Sequence, residues 1–496
     1  MAEISKTDYI LWRECPKNAW LKVHKPDVYY ASEPTEFDQS LIDSGNEVEE
    51  VARGLFPNGL LVAGRDDEAR QRTQEVLATG TPTLFQPIFE QDGFLAAVDV
   101  LEFNRVTSGY TIREIKSSTK PKDEHLYDVA FQTLLLRRHG MKIDRVFIVH
   151  LNRGYVRFGD LDLANLFATV DMTVMVDEIA GSVAREIEQA HAYLSNDLEP
   201  SGSCSCIYKG RSRHCRTFHH SNPHVPKYGV HDISRIGTSP KKLKEMVDAG
   251  VFALEKIPTH IKLSDIQQAQ VRVYNSGETV VKKEAIALEL KKLKFPLYFV
   301  DYETCPSAVP LFDHYSPYDH IPFQYSLHIV RSLDEELVHK EFLHAVREDP
   351  SELFIRSLQE NVGSNGSVIV WNKTFESGIN EAIARRLPAF QGFVADLNDR
   401  IYDLEEIFTN QYYVHKELRG KTSIKNVLTV LAPHLNYSDL DIHEGGAALV
   451  AWNEIISGRL SDAECNKLLE ALRGYCGMDS YAMYAIWRGL RDLVAA

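Results

Sequence analysis

Residues 93–118 read GFLAAVDVLEFNRVTSGYTIREIKSS. An apolar run over 93–103, a turn-rich stretch over 104–109 and a second run over 110–118 together predict a β-hairpin. Side chains alternate along a strand, so Glu114 and Lys116 share one face while Ile115 takes the other. Asp99 lies on the partner strand, within reach of them. One Asp, one Glu and one Lys converging at strand ends suit metal-assisted phosphodiester hydrolysis. The carboxylates hold a hard cation, Mg2+ or Mn2+, and the lysine steadies the attacking water or the phosphate charge. The plainer outcome of the same spacing is an exposed hairpin carrying a surface salt bridge. Helical patterns flank the hairpin. DSGNEVEEVARGLFP (43–57) places Glu47 and Glu50 three apart on one face, and HLYDVAFQTLLLRRHG (125–140) sets Gln132 on an otherwise apolar helix.

The surrounding chain has 496 residues, which predicts two to four domains at about 100–200 residues each. Lys and Arg total 55 against 70 Asp and Glu, a net charge of −15, and 44% of residues are hydrophobic. These values exclude a largely disordered chain and disfavour a general electrostatic coat for nucleic acid, although a local basic groove remains compatible with them. No apolar run approaches the ~18–20 residues of a membrane span, so no membrane partner is expected. The opening MAEISKTDYILWREC lacks the apolar core of a signal peptide, and seven cysteines are an odd number for a disulfide scaffold. A cytoplasmic, reduced protein is the expectation.

Composition shifts near 197–245, where prolines, glycines, cysteines and basic residues cluster. Residues 162–194 before it have helical periodicity, and residues 239–258 after it read as two short helices around Gly250, a candidate helix hairpin. A second break precedes the apolar strand at 297. The expected organisation is therefore an N-terminal domain over 1–220, a basic helical connector over 221–294 and a C-terminal domain over 295–496. Cys204, Cys206 and Cys215 cluster in SCSCIYKGRSRHC, and Cys15 stands alone in LWRECPKNAW. Four thiolates suit Zn2+ or an iron–sulfur cluster, against the bland alternative of four unrelated cysteines. Cys305, Cys465 and Cys476 read as packing residues.

LYFVDYET (297–304) is an apolar strand ending in Asp301 and Glu303, again two apart and on one face. Two carboxylates aimed together repel and desolvate badly without a cation between them. SVIVWNKTFESGINEAI (367–383) is a strand running into a helix that carries Glu376. LRGYCGMDSYAMYAIW (472–487) is a helix with Tyr475 and Asp479 four apart on one face. Asp403 closes a core strand. Lys421 and Lys425 in GKTSIK are candidate phosphate contacts, as are Lys209, Arg211 and Arg213 in the basic stretch.

Taken in order, a helix carboxylate, Asp99, Glu114-Ile-Lys116 and Gln132 resemble the RecB-like branch of the PD-(D/E)XK nucleases. The resemblance implies Asp99, Glu114 and Lys116 as the catalytic set, Glu47 or Glu50 as a further metal ligand and Gln132 as a substrate or supporting contact. One early cysteine with three late ones resembles the RecB-like exonucleases, CRISPR-associated ones included, that carry a structural [4Fe–4S] cluster, with Zn2+ as the alternative. Asp-x-Glu on a first strand, N-x-x-F-[D/E] and Tyr-x-x-x-Asp on a terminal helix resemble DnaQ-like exonucleases of the DEDDy type. That implies Asp301, Glu303, Glu376 and Asp479 as metal ligands and Tyr475 as the residue positioning water. Three positions depart from these patterns: glutamates replace the first-helix histidine, Leu136 stands where a tyrosine is usual, and Glu376 replaces an aspartate. The whole is similar to a bacterial family that joins a RecB-like domain to a DnaQ-like one. The implied fold is α/β, a restriction-endonuclease-like core followed by an RNase H-like mixed sheet with flanking helices. The implied function is a metal-dependent DNA exonuclease in repair, recombination or defence against foreign DNA. RNA is the alternative substrate, a catalytically impaired binding domain the alternative role for one half, and a helicase a candidate partner.

Overall fold

The computed structural model describes residues 3–31 and 35–495 and is a mixed α/β protein with several mixed sheets and flanking helices. It divides into two compact units, Met1–Val225 with Ala308–Tyr318, and Pro226–Ser307 with Asp319–Ala496. The stretch expected as a separate connector over 221–294 thus groups with the second unit from Pro226 onward, and residues 308–318 belong to the first. Among the described residues no helix is long and apolar enough to cross a membrane.

The first unit is built on a six-stranded sheet in the order Leu60–Leu61, Thr83–Phe85, Val100–Asn104, Gly109–Lys116, Ile143–Leu151, Phe167–Asp171. Val100–Asn104 and Gly109–Lys116 form the expected antiparallel hairpin, with Val100 opposite Arg113 and Asn104 opposite Gly109. Gly109–Lys116 then runs parallel to Ile143–Leu151. A parallel neighbour needs a crossover, and the helix Asp123–Arg138 supplies it. Ile112 and Leu101 pack with Val129, Phe131 and Leu136, while Ile115 and Val100 pack with Val48 and Ala52 of the helix Glu36–Arg53. Glu114 and Lys116 have the parity of Ile112, so they face the crossover helix.

The single strand expected over 93–103 is instead two. Phe94–Ala97 pairs with Ile88–Gln91 and with Ile4–Ser5 in a separate three-stranded sheet, while Val100–Asn104 pairs with Thr83–Phe85 in the main one. The partner run breaks at Gln86–Pro87, where Gln86 has φ +54° and proline has no amide to donate. The whole ribbon bends there, and Asp99 sits at the bend. The helix expected over 162–194 is interrupted too. Phe167–Asp171 is an edge strand antiparallel to Ile143–Leu151, and the long helix is confined to Thr173–Leu194. Pairing with an available sheet edge outweighs the local helical period. Of the two helices expected around Gly250, only Pro240–Asp248 forms; beyond the glycine there is one 3-10 turn, Leu254–Lys256.

The second unit contains a five-stranded sheet in the order Val338–Leu343, His320–Val330, Leu297–Pro306, Ser367–Val370, Ile401–Asp403. The first three strands are antiparallel to their neighbours, and the last two run parallel to Leu297–Pro306. Tyr298, Val300 and Tyr302 face a core with Phe354, Leu358, Ile379 and Ile383 of the helices Ser351–Asn361 and Lys373–Arg386. The opposite face carries Phe299, Asp301 and Glu303. There Phe299 meets Tyr484 and Trp487 of the terminal helix Asp462–Ala495, with ring centroids 5.8 and 5.7 Å away. That helix brings Tyr475 and Asp479 to the carboxylate face.

Candidate functional site

Three clusters of chemically competent side chains stand out. In the first unit, Lys116 Nζ lies 2.6 Å from Glu114 Oε1 and 2.6 Å from Asp128 Oδ2. Lys6, at the start of the helix Lys6–Glu14, reaches the same group, 2.7 Å from Glu114 Oε1 and 3.6 Å from Asp128 Oδ1. Gln132 donates from Nε2 to Glu114 Oε2 at 2.7 Å and to Asp128 Oδ1 at 2.9 Å. The Ile115 amide donates to Asp99 Oδ2 at 2.8 Å, so the bend at Asp99 docks against the strand carrying Glu114. Burial, then the charges of Asp128 and Asp99, push the Glu114 carboxyl up to about 7. Burial opposes charge on both lysines, yet the surrounding carboxylates hold each ammonium above its ordinary value.

The structure revises three assignments here. Glu47 and Glu50 are exposed on their helix; Glu49 is the residue linked to Asp99, through Gln86 Nε2, which donates at 2.7 Å to Glu49 and 3.2 Å to Asp99. A helix face is read to within one residue at best when carboxylates crowd 47–50. Gln132 is fully buried and its Nε2 donates to two carboxylates, so of its two expected roles it fills the supporting one, orienting Glu114. Lys6 and Asp128 are members of the cluster that the motif did not include. Asp128 was findable, being four residues before Gln132 on one helical face. Lys6 was not: it lies 108 residues from Glu114 in the chain.

The second cluster joins Cys15 to Cys204, Cys206 and Cys215, whose sulfurs all lie within 4.8 Å of one another. Cys215 Sγ is 3.8 Å from those of both Cys15 and Cys204. Cys15, Cys204 and Cys206 are buried, and Asn222 donates to Cys204 Sγ at 3.1 Å. Hydrogen bonding with the three other thiols holds Cys15 below the usual thiol range. Such a group could bind a metal ion. Around it, Lys209 reaches the Glu14 carbonyl at 3.3 Å, Arg211 approaches His219 Nε2 at 3.5 Å, and Arg213 is exposed.

In the second unit, Asp301, Glu303, Glu376 and Asp479 converge. Burial pushes Asp301 well above the carboxylate range, and Asp479, Glu303 and Glu376 add to it in that order. Glu303 rises by burial and by Asp479, with Lys425 opposing. Glu376 is 3% exposed, its Oε2 has no hydrogen-bond partner among the described residues, and burial raises it to about 8. Tyr437 donates to Asp479, and the Tyr475 ring lies 6.3 Å from that of Tyr437. Lys425 sits 5.0 and 5.1 Å over these two rings and donates to the His443 carbonyl, so it leans on the acid pocket. Lys421 is exposed. Asp403 accepts from the Lys373 and Glu405 amides at 3.0 Å each and serves as a backbone cap.

Residues 298–423 match the model of a domain of unknown function, DUF2779. The chain is 29% identical over 229 residues to the uncharacterised protein MG366 of Mycoplasma genitalium, 41% of this chain and 33% of the relative. It is 25% identical over 269 residues to the uncharacterised protein UU173 of Ureaplasma parvum, 49% of this chain and 39% of the relative. The chain thus spans between a third and two fifths of the length of these curated relatives.

Proposed function

We propose that this chain is a divalent-metal-dependent nuclease that hydrolyses phosphodiester bonds in DNA. The observation that carries the reading is the convergence of Asp301, Glu303, Glu376 and Asp479, four carboxylates, the last three of them buried, with few internal counter-charges. A divalent cation supplies the missing charge there and, when bound, acidifies water and neutralises charge on phosphate oxygens. The chain's own residues do the rest. Asp301, Glu303 and Asp479 would hold the ion, Tyr437 donates to Asp479, and the Tyr475 hydroxyl beside Asp479 would orient a water by hydrogen bonding. Strand order supports the fold half of the proposal: three antiparallel strands followed by two parallel ones match an RNase H-like sheet of DnaQ type. In the first unit, an antiparallel hairpin, a crossover helix and a parallel strand support a PD-(D/E)XK-like core, in which Asp99, Glu114 and Lys116 would be the catalytic set.

The four cysteines are assigned a structural metal. Tetrahedral thiolates at ~2.3 Å from one Zn2+ lie about 3.8 Å apart, the spacing found for Cys215. A cubane seats each thiolate on a separate iron and spreads the sulfurs further. We therefore carry Zn2+ forward in place of [4Fe–4S]; a brown anaerobic preparation with stoichiometric iron would reverse that choice. Lys209, Arg211 and Arg213 beside this group are proposed as backbone contacts for nucleic acid. The proposal extends to a cytoplasmic setting and a helicase that feeds the substrate.

A second reading has its own support: both oxygens of Glu114 are occupied, by Lys6, Lys116 and Gln132, so the first unit is the better candidate for a binding role without catalysis. End-labelled single- and double-stranded DNA and RNA, incubated with Mg2+ or Mn2+, test both readings. Asp301→Ala is expected to lower hydrolysis at least ~10²–10³-fold, the scale of losing one electrostatic contact to the reacting group. Loss with Asp301→Ala but not Lys116→Ala makes the first unit a binder, and activity untouched by either variant rejects both sites.

A further inference from the structure

Cys476 reads as a packing residue, and it is indeed buried, but its neighbours are wrong for that role. Its Sγ lies 3.7 Å from the Asp301 main-chain oxygen and 3.8 Å from Asp301 Oδ2. One ligand atom each from Asp301, Glu303 and Cys476 lies within 4.8 Å of the other two. Cys476 and Asp479 are three apart on the terminal helix, so one helical face offers both to the strand. Two further buried acceptors in this pocket have no donor among the described residues. They are Glu376 Oε2, which bears on Asp301, and Oε1 of Gln324, 1% exposed. Gln324 is the cross-strand partner of Glu303 and stands on its face. A pocket of unmet acceptors around a thiol and two carboxylates calls for a cation, because buried acceptors without donors are costly.

We propose that Cys476, with Asp301 and Glu303, forms a mixed thiolate–carboxylate site that takes a borderline divalent ion such as Co2+ or Zn2+ in preference to Mg2+. This rests on the pocket being a metal site, and adds which ion it selects. Hard ions are satisfied by oxygen alone and gain little from sulfur, whereas a thiolate favours ions later in the first transition row. Binding releases the thiol proton, since only the thiolate ligates.

The test uses the full-length protein with the four-cysteine group as isolated. Co2+ is titrated into wild type, Cys476→Ser and Asp301→Asn, and the near-ultraviolet thiolate-to-cobalt charge-transfer band is read as a difference from Cys476→Ser, which cancels the other four thiols. The expected result is a band in wild type that saturates at one Co2+, resists excess Mg2+ and is absent from both variants. Co2+ affinity at this site should fall at least by the ~10–100-fold typical even of groups behind the ligands. Equal Co2+ binding in wild type and Cys476→Ser with no difference band overturns the thiolate while leaving the acid site standing. No Asp301-dependent binding of Co2+ or Mg2+ overturns the metal site itself. Thermal melts of both variants, with Cys476→Ala as a second thiol deletion, separate loss of the ligand from loss of the fold.

Discussion

In the first unit Asp99, Glu114 and Asp128 share their surroundings with two ammonium groups, Lys6 and Lys116, both within salt-bridge distance of Glu114. In the second unit four carboxylates converge, and Lys425, which also bonds to the His443 carbonyl, faces two of them, Glu303 and Asp479. The two clusters solve one electrostatic problem in opposite ways. Buried acids must be neutralised by protons, by internal cations or by an ion from solution. The first cluster carries its counter-charge within the chain and pays for it in access, since an incoming ion must displace a lysine from Glu114. The second leaves its acids facing one another, and their carboxyls rise accordingly.

Removing one carboxylate from each cluster should therefore shift stability in opposite directions. Glu114→Gln strands Lys6 and Lys116 among fewer partners, and breaking a buried pair by deleting one member costs about 3–5 kcal/mol. Urea unfolding monitored in the first unit should show that loss; a change below 1 kcal/mol ends the contrast. Of these two acid clusters, added divalent ion should act at low concentration on that of the second unit. At 100 times its dissociation constant it adds about 2.7 kcal/mol, read as a rise in melting temperature that Asp301→Asn abolishes and Glu114→Gln leaves in place. Without metal, Asp301→Asn should itself raise the melting temperature, because it relieves repulsion from Asp479, Glu303 and Glu376.

A further effect is on pH. Burial raises Glu376 from the ordinary value near 4.5 to about 8. Between those values the folded chain binds a proton that the unfolded chain has released. Its contribution is therefore fully present below about 4.5 and is lost as pH rises through about 8. The slope is at most about 1.4 kcal/mol per pH unit. Metal-free melts from pH 5 to 8 should fall more steeply for wild type than for Glu376→Gln, and equal slopes would place the carboxylate in water.

Much of this was legible in residue order because alternation and helical spacing are local rules. They place Glu114 with Lys116, Asp301 with Glu303 and Tyr475 with Asp479 on shared faces. They could not place Lys6, which the chain delivers from 108 residues away. Nor could they choose Glu49 over Glu47 and Glu50, because the outcome depends on how Gln86 emerges from a bend at a proline. Phe167–Asp171 shows the same limit from the other side: its helical period yields to a sheet edge that exists only once the unit is assembled. Tyr437 and Cys476 were invisible for a simpler reason, since tyrosines and cysteines in helical or loop sequence are usually just packed.

Cys15 also sets a schedule. It meets Cys215, 200 residues further along, so a ribosome adding ~5–20 residues each second must run for roughly 10–40 s before the thiol partners even exist. Through that interval the leading helix can meet only its nearer partners, among them Glu114 for Lys6 and Phe131 for Tyr9. The link from Cys15 to Cys215 is thus one of the last contacts to become available to the amino end of the first unit.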